Sequence, residues 1–495
     1  MSLGIFRTKS VEQTLQDTEE PEHQLKKNLG ALDLIVFGVG VSVGAGIFVL
    51  TGHAAATNAG PAIALSFLIA GLGCGLAALC YAELASTVPA AGSAYTYTYA
   101  TMGELLAWII GWDLILEFTV GAAAPATSFS QYLGVIFSGT PFAIPEAIAT
   151  TENGYLNLPA GLLVIGLTMV LISGVKLSSR INQVVTGIKV LVVLAVIVVG
   201  AFLINVSNWV PFIPPAQTPA ASEGGFLHLP MVQSLFGLEP SVFGIGGVFA
   251  AAAMVFFAFI GFDVVATTAE ETRNPQRNLP IGIFGSLAIV TLLYMAVSLV
   301  ITGMQNYQDI DPNDGAPLAT AFVNAGLPIM GNLIAIGACI GLIVVCMILF
   351  LGQTRVGFAM SRDHLLPAAL AKTHPRFGTP YRFTILAGIP IAILAAFVPL
   401  STLAELVNIG TLSAFIMVSI GVVILRKRRP DLERSFKVPW VPVIPIASVI
   451  ICFYLMLNLS VETWIRFVIW LVIGFIVYFA YSRKHSRLNF MQAGR

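Results

Sequence analysis

Charge is the scarcest property of this chain. Asp, Glu, Lys and Arg make up only 10% of its 495 residues, the formal net charge is zero, and apolar residues make up 57%. The mean hydropathy is +0.88. A composition so poor in charge excludes a water-soluble globular protein, and we expect no nucleic-acid partner.

Residues suited to catalysis and metal binding are scarce as well. All five cysteines fall within apolar stretches, so they predict neither a disulfide framework nor a metal site. The six histidines lie at His53, at His228 and at cytoplasmic or terminal positions, and there is no HExxH or paired-ligand pattern. Rings of like charge that would line a channel filter are absent too. The sequence therefore predicts neither an enzyme nor a channel, and no cofactor.

Long apolar stretches are abundant. We count twelve that can span a bilayer, near residues 32–57, 61–88, 104–137, 160–175, 184–205, 244–269, 281–303, 329–358, 383–398, 402–425, 440–459 and 464–482. The fourth and ninth are short and need flanking residues to reach the roughly 20 residues of a membrane helix. Because the first thirty residues are polar and charged, we expect no cleavable signal peptide.

Basic residues are distributed unevenly between the connecting segments. When the segments are taken alternately, those on one side hold 23 of the 25 Lys and Arg residues, and the exceptions are Lys189 and Arg466. The positive-inside rule then predicts a multi-pass protein of the cell membrane, an inner-membrane protein in bacteria, with both termini in the cytoplasm. Segment 89–103, an inner loop without Lys or Arg, is the one weak point of this pattern.

Two of the apolar stretches are interrupted near their middles. The first contains the run Val43–Phe48 (VGAGIF) and the sixth contains Ala258–Asp263 (AFIGFD). An unpaired backbone group costs several kcal/mol in lipid unless protein or a water-filled cavity receives it. A matched pair of such breaks therefore indicates a substrate site near the bilayer midplane.

The spacing of the breaks predicts an internal repeat. They lie about 215 residues apart, and a similar interval separates the fifth and tenth stretches. Since five is odd, a second five-helix unit must enter the membrane from the opposite face. We predict an all-α polytopic membrane protein with twelve transmembrane helices, arranged as a five-plus-five inverted repeat and a C-terminal helix pair. The predicted units are an N-terminal tail (1–31), a first repeat (32–206), an extracellular loop (207–243), an inverted second repeat (244–425), a basic inner loop with the last two helices (426–482) and a cytoplasmic tail (483–495).

Lys189 is the one basic residue deep inside a predicted span. It lies about 8 Å from the cytoplasmic edge by helix rise, so a lysine that snorkels to the interface is one interpretation. The other is a functional buried ammonium, because ionisable residues within membranes default to a functional hypothesis. Such a group can bind and release a proton during a transport cycle.

Several motifs are distinctive. They are SVGAGIFVLTGHAA, AGPAIALSFLIAGL, CYAELASTVPAAGSAYTYTYATMGELLAWIIGWDLILE, FFAFIGFDVVATTAEETRNPQRNLPIGI, SRDHLLP, HPRFGTP and ELVNIGTLSAF. Together they resemble the cationic amino acid transporter branch of the amino acid–polyamine–organocation superfamily, in its bacterial members. The resemblance covers nearly the whole chain after residue 30. It implies the five-plus-five inverted-repeat fold of leucine transporters with two added helices.

The first break is suited to holding a carboxylate. Where the helix resumes, the N–H groups of Gly44, Ala45, Gly46 and Ile47 and the positive end of the helix dipole can bind an anion without arginine. Small residues are needed because a large side chain would keep a ligand from the backbone. The alternative is a close-packing face of small residues, which is common in membrane helices.

The resemblance implies that the second break holds the substrate ammonium. Carbonyls of Phe257, Ala258 and Ile260, with those of Ser42 and Val43 from the first break, would accept its hydrogen bonds. The Phe257 ring would border and occlude the substrate, although simple packing is its alternative role. Met347, in the eighth span, is a candidate lining residue with the same alternative.

Acidic residues within spans could complete the site. Glu117 in the third span and Asp263 after the second break could pair with a cationic substrate or with Lys189, or could carry a proton. Asp113 lies one helical turn before Glu117. The alternative for all three is a structural hydrogen bond. Further acidic residues lie toward span ends and predict interface or gate contacts: Glu83, Glu104, Glu270, Glu271 and Glu405.

The resemblance also bears on the coupling ion. Related transporters hold sodium with first-break carbonyls and eighth-span hydroxyls, but residues 329–353 contain no Ser or Thr. Lys189 would occupy the sodium region, which favours proton coupling. We therefore expect a transporter that imports L-amino acids, including arginine and lysine, by proton symport with alternating access. An amino acid exchanger that does not require protons is the alternative.

Overall fold

The computed structural model describes residues 28–88, 93–151, 155–174, 179–218, 225–238, 242–268 and 271–487. Within these ranges the chain is helical, and its only β-type pairings are three isolated bridges, Leu29 with Thr272, Gln217 with Val242 and Pro230 with Ser460. The all-α class predicted from the sequence is confirmed for the described residues.

Twelve longer helices form the body of the described part of the chain, and we number them α1 to α12. They are α1 Ala31–Ser42, α2 Ile63–Thr87, α3 Glu104–Phe137, α4 Leu158–Ile172, α5 Ser179–Ala201, α6 Gly244–Val255, α7 Pro275–Met304, α8 Pro328–Arg362, α9 Tyr381–Phe397, α10 Leu400–Arg428, α11 Val443–Leu457 and α12 Val461–Val477. Helices α4, α7 and α8 carry a proline in the first turn, where its missing N–H has no intrahelical partner to lose.

Short helical segments connect or extend these helices. The α-helical ones are Thr51–Ala54, Ala94–Thr101, Glu146–Ala149, Met231–Phe236, Phe262–Thr267, Pro317–Asn324 and Arg483–His485. The 3₁₀ segments are Gly60–Ala62, Val206–Trp209, Phe226–His228, Phe256–Phe259, Tyr307–Asp309 and Ala368–Ala371, and the π-helical ones are Gly46–Leu50, Ala55–Ala59 and Tyr478–Ser482. The apolar pattern of the sequence does not predict the helix Ala94–Thr101 between α2 and α3 or the helix Pro317–Asn324 after α7.

Helix length supports membrane spanning for most of the predicted stretches. In the described ranges, eight helical segments are long and apolar enough to cross a bilayer, and the first of them runs continuously from Gly46 to Thr87. Four other apolar helices are shorter, with 12 residues in α1, 15 in α4, 17 in α9 and 15 in α11. The number of twelve spans and the inverted repeat stay predictions.

The packing is typical of a protein that is surrounded by lipid. Helix α3 packs extensively on α8, α2 on α7, α4 on α9, and α1 on α7. Apolar side chains also cover the outside, with Leu191 67%, Ile450 61% and Ile476 62% exposed. Lipid tails accept such side chains without cost, so the helices facing outward need no polar surface.

Candidate functional site

The first break lies at the end of α1. The helix stops at Ser42, and Val43 has φ −72° and ψ 89°, outside the helical region. The chain then turns back into helix, with Phe48 N–H donating to the Gly44 carbonyl at 3.2 Å, and continues as the π-helical segment Gly46–Leu50. All of these residues are buried. The N–H groups of a helix's first turn have no intrahelical acceptor, so this segment starts where the sequence predicts an anion site.

The second break lies between α6 and the helix Phe262–Thr267. A 3₁₀ turn at Phe256–Phe259 is followed by Ile260 in an extended conformation and by Gly261 at φ 141°. That positive φ favours glycine, and space requires it too, because a Cβ at Gly261 would lie 2.6 Å from Ser42 Oγ. Backbone from the two breaks is therefore in close contact.

The same closeness is present on the other side of the first break. A Cβ added to Gly46 would lie 2.3 Å from the Cα of Ala258. Gly44 instead faces α8, since its added Cβ would lie 3.3 Å from both methyl carbons of Val345. Met347 is buried two residues further along α8, and residues two apart point in different directions on a helix. Val345 is thus the α8 side chain against Gly44, and no sequence pattern pointed to it.

Lys189 is directed into the protein. Its side chain is completely buried, and Nζ donates hydrogen bonds to the Gly40 carbonyl and, at 3.1 Å, to the Val43 carbonyl. The aliphatic stem crosses α8, where a Cβ on Gly341 would lie 2.2 Å from Lys189 Cδ. This geometry does not match a lysine that snorkels to the interface. The ammonium instead satisfies carbonyls that the end of α1 leaves without intrahelical donors.

Glu117 and Asp113 face α10 from α3. Both are fully buried, and a Cβ on Gly410 would lie 3.0 Å from Asp113 Oδ1 and 3.7 Å from Glu117 Cβ. Ser413 Oγ donates to Asp113 Oδ2. In the described part of the chain, neither Glu117 oxygen has a hydrogen-bond partner; the Thr411 hydroxyl lies near enough to interact but donates to the Val407 carbonyl.

Asp263 lies in the first turn of the helix that follows the second break. Its Oδ1 accepts a hydrogen bond from Gly261 N–H at 3.0 Å. A carboxylate at this position is also favoured by the positive end of the helix dipole. It is close enough to Glu117 for the two charges to interact. The local bond supports the structural alternative for Asp263, whereas Glu117 has no comparable local anchor among the described residues.

Three buried polar side chains hold the broken segments and were missed from the sequence. Tyr294 Oη lies 2.5 Å from the Ser42 carbonyl and 2.8 Å from the Ala258 carbonyl. Tyr132 Oη donates to the Phe48 carbonyl at 2.7 Å. Asn408 Nδ2 donates to the Ala253 and Met254 carbonyls, just before the second break. Free carbonyls at a helix break require such donors. The sequence alone does not show which residues are close enough in space to supply them.

Acidic residues near the helix ends have local partners. Glu271 accepts from Arg355 at 2.7 Å, and its carbonyl accepts from Asn28 and Leu29 N–H, which ties the start of α1 to the segment after the second break. Glu104 accepts from Tyr478 and Glu405 from Ser460. Glu270 lies outside the described residues.

The buried Glu83 carboxylate forms an ion pair with Arg426 that gives a stability prediction. Its side chain is 1% exposed and accepts from Arg426 Nε at 2.8 Å and Nη2 at 2.6 Å. Arg426→Leu should lower the thermal unfolding midpoint, because it removes two charge-assisted bonds from a buried carboxylate. The loss should be smaller than the roughly 3 kcal/mol of a fully buried pair, since Arg426 is 27% exposed and Arg434 Nε remains 3.5 Å from Glu83 Oε1. Arg429→Leu is the matched control, since its partner Asp431 is 63% exposed and such pairs contribute about 0–1 kcal/mol. Equal midpoint shifts of the two variants in detergent would contradict a structural role for the Glu83–Arg426 pair.

Comparison with known proteins agrees with this architecture. A family model described as amino acid permease matches residues 29–480. The chain is 44% identical to a methylthioribose transporter of Bacillus subtilis, over 98% of this chain and 99% of the relative. It is 45% identical to a branched-chain amino acid permease of Bacillus subtilis, over 99% and 100%. Identity to a vacuolar cationic amino acid transporter of Arabidopsis thaliana is 31%, over 98% and 96%.

The match extends through both breaks, all twelve longer helices and the buried lysine. It confirms the family resemblance of the sequence motifs and the expectation that the chain is not an enzyme. The chain belongs to the amino acid permease family of the amino acid–polyamine–organocation superfamily and is a multi-pass membrane transporter.

Proposed function

We propose that this transporter imports L-amino acids across the cell membrane by proton symport, with both termini in the cytoplasm. The observation that carries the proposal is the direct contact between the two helix breaks, with the Lys189 ammonium on carbonyls of the first. The proposal includes twelve spans and a five-plus-five inverted repeat. Its support is that α2 packs on α7, α3 on α8 and α4 on α9, each helix against the one five places later.

The proposed substrate clamp uses backbone from both breaks. N–H groups of Gly44, Ala45, Gly46 and Ile47 would hold the α-carboxylate. Carbonyls of Ser42, Val43, Phe257, Ala258 and Ile260 would hold the α-ammonium, and Phe257 and Met347 would border the ligand. Several of these carbonyls already accept a protein hydrogen bond. A carbonyl oxygen has two lone pairs, so it can accept from a ligand as well.

The proposed coupling group is Lys189. Protonated, it gives charge-assisted hydrogen bonds to Gly40 and Val43 and so holds the end of α1 against α5 and α8. After loss of the proton, the neutral amine binds the same carbonyls less strongly, and α1 is freer to move as the inner side opens. Glu117 and Asp263 are the alternative proton carriers. Residues 329–353 of α8 lack hydroxyl side chains, which leaves this region poor in the oxygen ligands that sodium needs.

A cationic substrate side chain would find acidic groups on the α3 side of the site. The Glu117 carboxylate, without a hydrogen-bond partner among the described residues, is available to such a side chain. The relatives named above act on branched-chain amino acids, cationic amino acids and methylthioribose. The identity to the branched-chain amino acid permease is nearly equal to that to the methylthioribose transporter, so overall similarity does not select the substrate.

Uptake into proteoliposomes tests the proposal. Labelled arginine, lysine, leucine and alanine should accumulate when an inward proton gradient is imposed and should not respond to a sodium gradient. An exchanger would instead require amino acid inside the vesicles. Uptake that requires internal amino acid and does not change with the proton gradient would overturn the symport proposal. The proposal that the protein transports amino acids would still stand.

Competition with modified ligands tests the clamp itself. Methyl esters of arginine and leucine should compete at least about tenfold more weakly than the free amino acids, because an unpaired polar group in a closed site is expensive. Changing the side chain should cost less. Methylthioribose, which has neither an α-carboxylate nor an α-ammonium, should not compete if the clamp recognises these two groups. Equal competition by arginine and its methyl ester would contradict the backbone clamp.

A further inference from the structure

Tyr294 joins the two breaks through one atom. It lies on α7, is completely buried, and its hydroxyl oxygen is within hydrogen-bond distance of the Ser42 carbonyl at 2.5 Å and the Ala258 carbonyl at 2.8 Å. Ser42 is the last residue of α1, and Ala258 belongs to the 3₁₀ turn before the second break. One phenol oxygen therefore touches the ends of both broken segments.

The ring that carries this hydroxyl is firmly packed. Phe67 and Phe259 flank it, each with a ring centroid 5.4 Å from that of Tyr294. A side chain held in this way does not need to be ordered by a ligand. The hydroxyl is thus present at the two carbonyls before any substrate arrives.

A phenol satisfies this pair of acceptors incompletely. It has one proton to share between two carbonyls, whereas a primary ammonium has three. An ammonium within reach of both oxygens would make two charge-assisted bonds, which are roughly twice as strong as neutral ones. Without the hydroxyl, however, both buried carbonyls would lose this donor in the empty protein, which is costly.

We propose that the Tyr294 hydroxyl is a stand-in for the substrate ammonium, occupying the Ser42 and Ala258 carbonyls in the empty transporter and yielding them when an amino acid binds. This inference rests on the proposed amino acid function. It assigns Tyr294 a positioning role: the residue stabilises the empty, closed arrangement of the two breaks, and it competes with the substrate for the same acceptors.

Two consequences follow for the transport cycle. A symporter must change conformation when empty in order to return, and the hydroxyl keeps the breaks satisfied during that step. Exchange of one amino acid for another does not include the empty step. Loss of the hydroxyl should therefore slow net uptake while it leaves exchange nearly intact, a separation that a general folding defect would not produce.

Tyr294→Phe tests the proposal, with Tyr132→Phe as the matched control. Tyr132 is also a buried tyrosine, and its hydroxyl donates to the Phe48 carbonyl after the first break instead of lying between carbonyls of both breaks. We expect Tyr294→Phe to bind arginine or leucine roughly three- to tenfold more tightly, because the competing donor is gone. Its empty form should melt at a lower temperature and its ligand-bound form close to wild type. Tyr132→Phe should not bind more tightly.

The outcomes separate this inference from the proposed function. If wild type binds none of the amino acids tested, the function itself is wrong. If wild type binds and Tyr294→Phe binds with unchanged affinity, with empty and bound forms destabilised equally, Tyr294 is only structural. Weaker binding in Tyr294→Phe would make the hydroxyl a direct ligand of the substrate. Either of these last two results overturns the stand-in role and leaves the amino acid function standing.

Discussion

Lys189→Met should abolish proton-driven accumulation of amino acids while leaving measurable substrate binding. Methionine keeps much of the side-chain volume and removes the titratable charge. It also removes the donor that the Gly40 and Val43 carbonyls share in the folded protein. A charge-assisted bond lost from a buried site changes a rate by about ten- to hundredfold. With internal pH fixed, initial uptake by wild type should be faster at acidic than at alkaline external pH. Uptake by the variant should be slow at both and should not change with external pH.

A second substitution separates the proton from the hydrogen bonds. Lys189→Arg keeps a charged donor beside α1, but a guanidinium stays protonated throughout the cycle. If titration of Lys189 drives coupling, the arginine variant should also lose accumulation although it retains binding. Accumulation restored by arginine would mean that the bonds to α1 matter and the proton does not. Undiminished pH-driven accumulation by Lys189→Met would move coupling to Glu117 or Asp263.

Arg466→Met controls for charge removal in general. Arg466 is the other basic residue outside the segments that we predict to be cytoplasmic, and it pairs with Glu462 one turn earlier on α12. This pair is partly exposed and is formed within α12, whereas Lys189 bonds to the first break. The variant should accumulate amino acids with the wild-type dependence on external pH.

Backbone requirements in the site could be predicted from the sequence, whereas side-chain partners could not. The runs around Gly44 and Gly261 indicate two helix breaks because they place small, flexible residues at matching positions in the middle of two apolar stretches. The structure has both breaks at those residues. Tyr294 and Asn408, by contrast, are one tyrosine and one asparagine among many. Their role depends on which carbonyl lies opposite, and that is decided by helix packing.

The helices, too, could be predicted only in part from the sequence. Composition and hydropathy predict the long helices well, because a run of apolar residues has to be helical in lipid. The same pattern indicates that α4 and α9 are short. Helix Ala94–Thr101 was missed because its Tyr and Thr residues do not form an apolar run. Those residues are buried because the helix packs on α3 and α10, and such contacts are not visible in the sequence.

Gly44→Leu should abolish amino acid binding in a protein that still folds and inserts. The added side chain would fill the space in which a carboxylate meets the N–H groups after the first break. Gly46 is a poorer place for this test, since even a Cβ there would lie 2.3 Å from backbone of Ala258 and would push the breaks apart. At Gly44 the nearest obstacle is the Val345 side chain, with its methyl carbons 3.3 Å from an added Cβ.

Shortening Val345 removes that obstacle, so that the test can distinguish a packing role of Gly44 from a binding role. Val345→Ala combined with Gly44→Leu gives the leucine room on the α8 side. If Gly44 serves only close packing of small residues, the double variant should regain binding. If the glycine keeps the backbone open to a ligand, the double variant should regain thermal stability and still fail to bind. Gly187→Leu is the control, because a Cβ at Gly187 meets nothing within 4 Å; binding heat and ligand-induced thermal shift are the measurements.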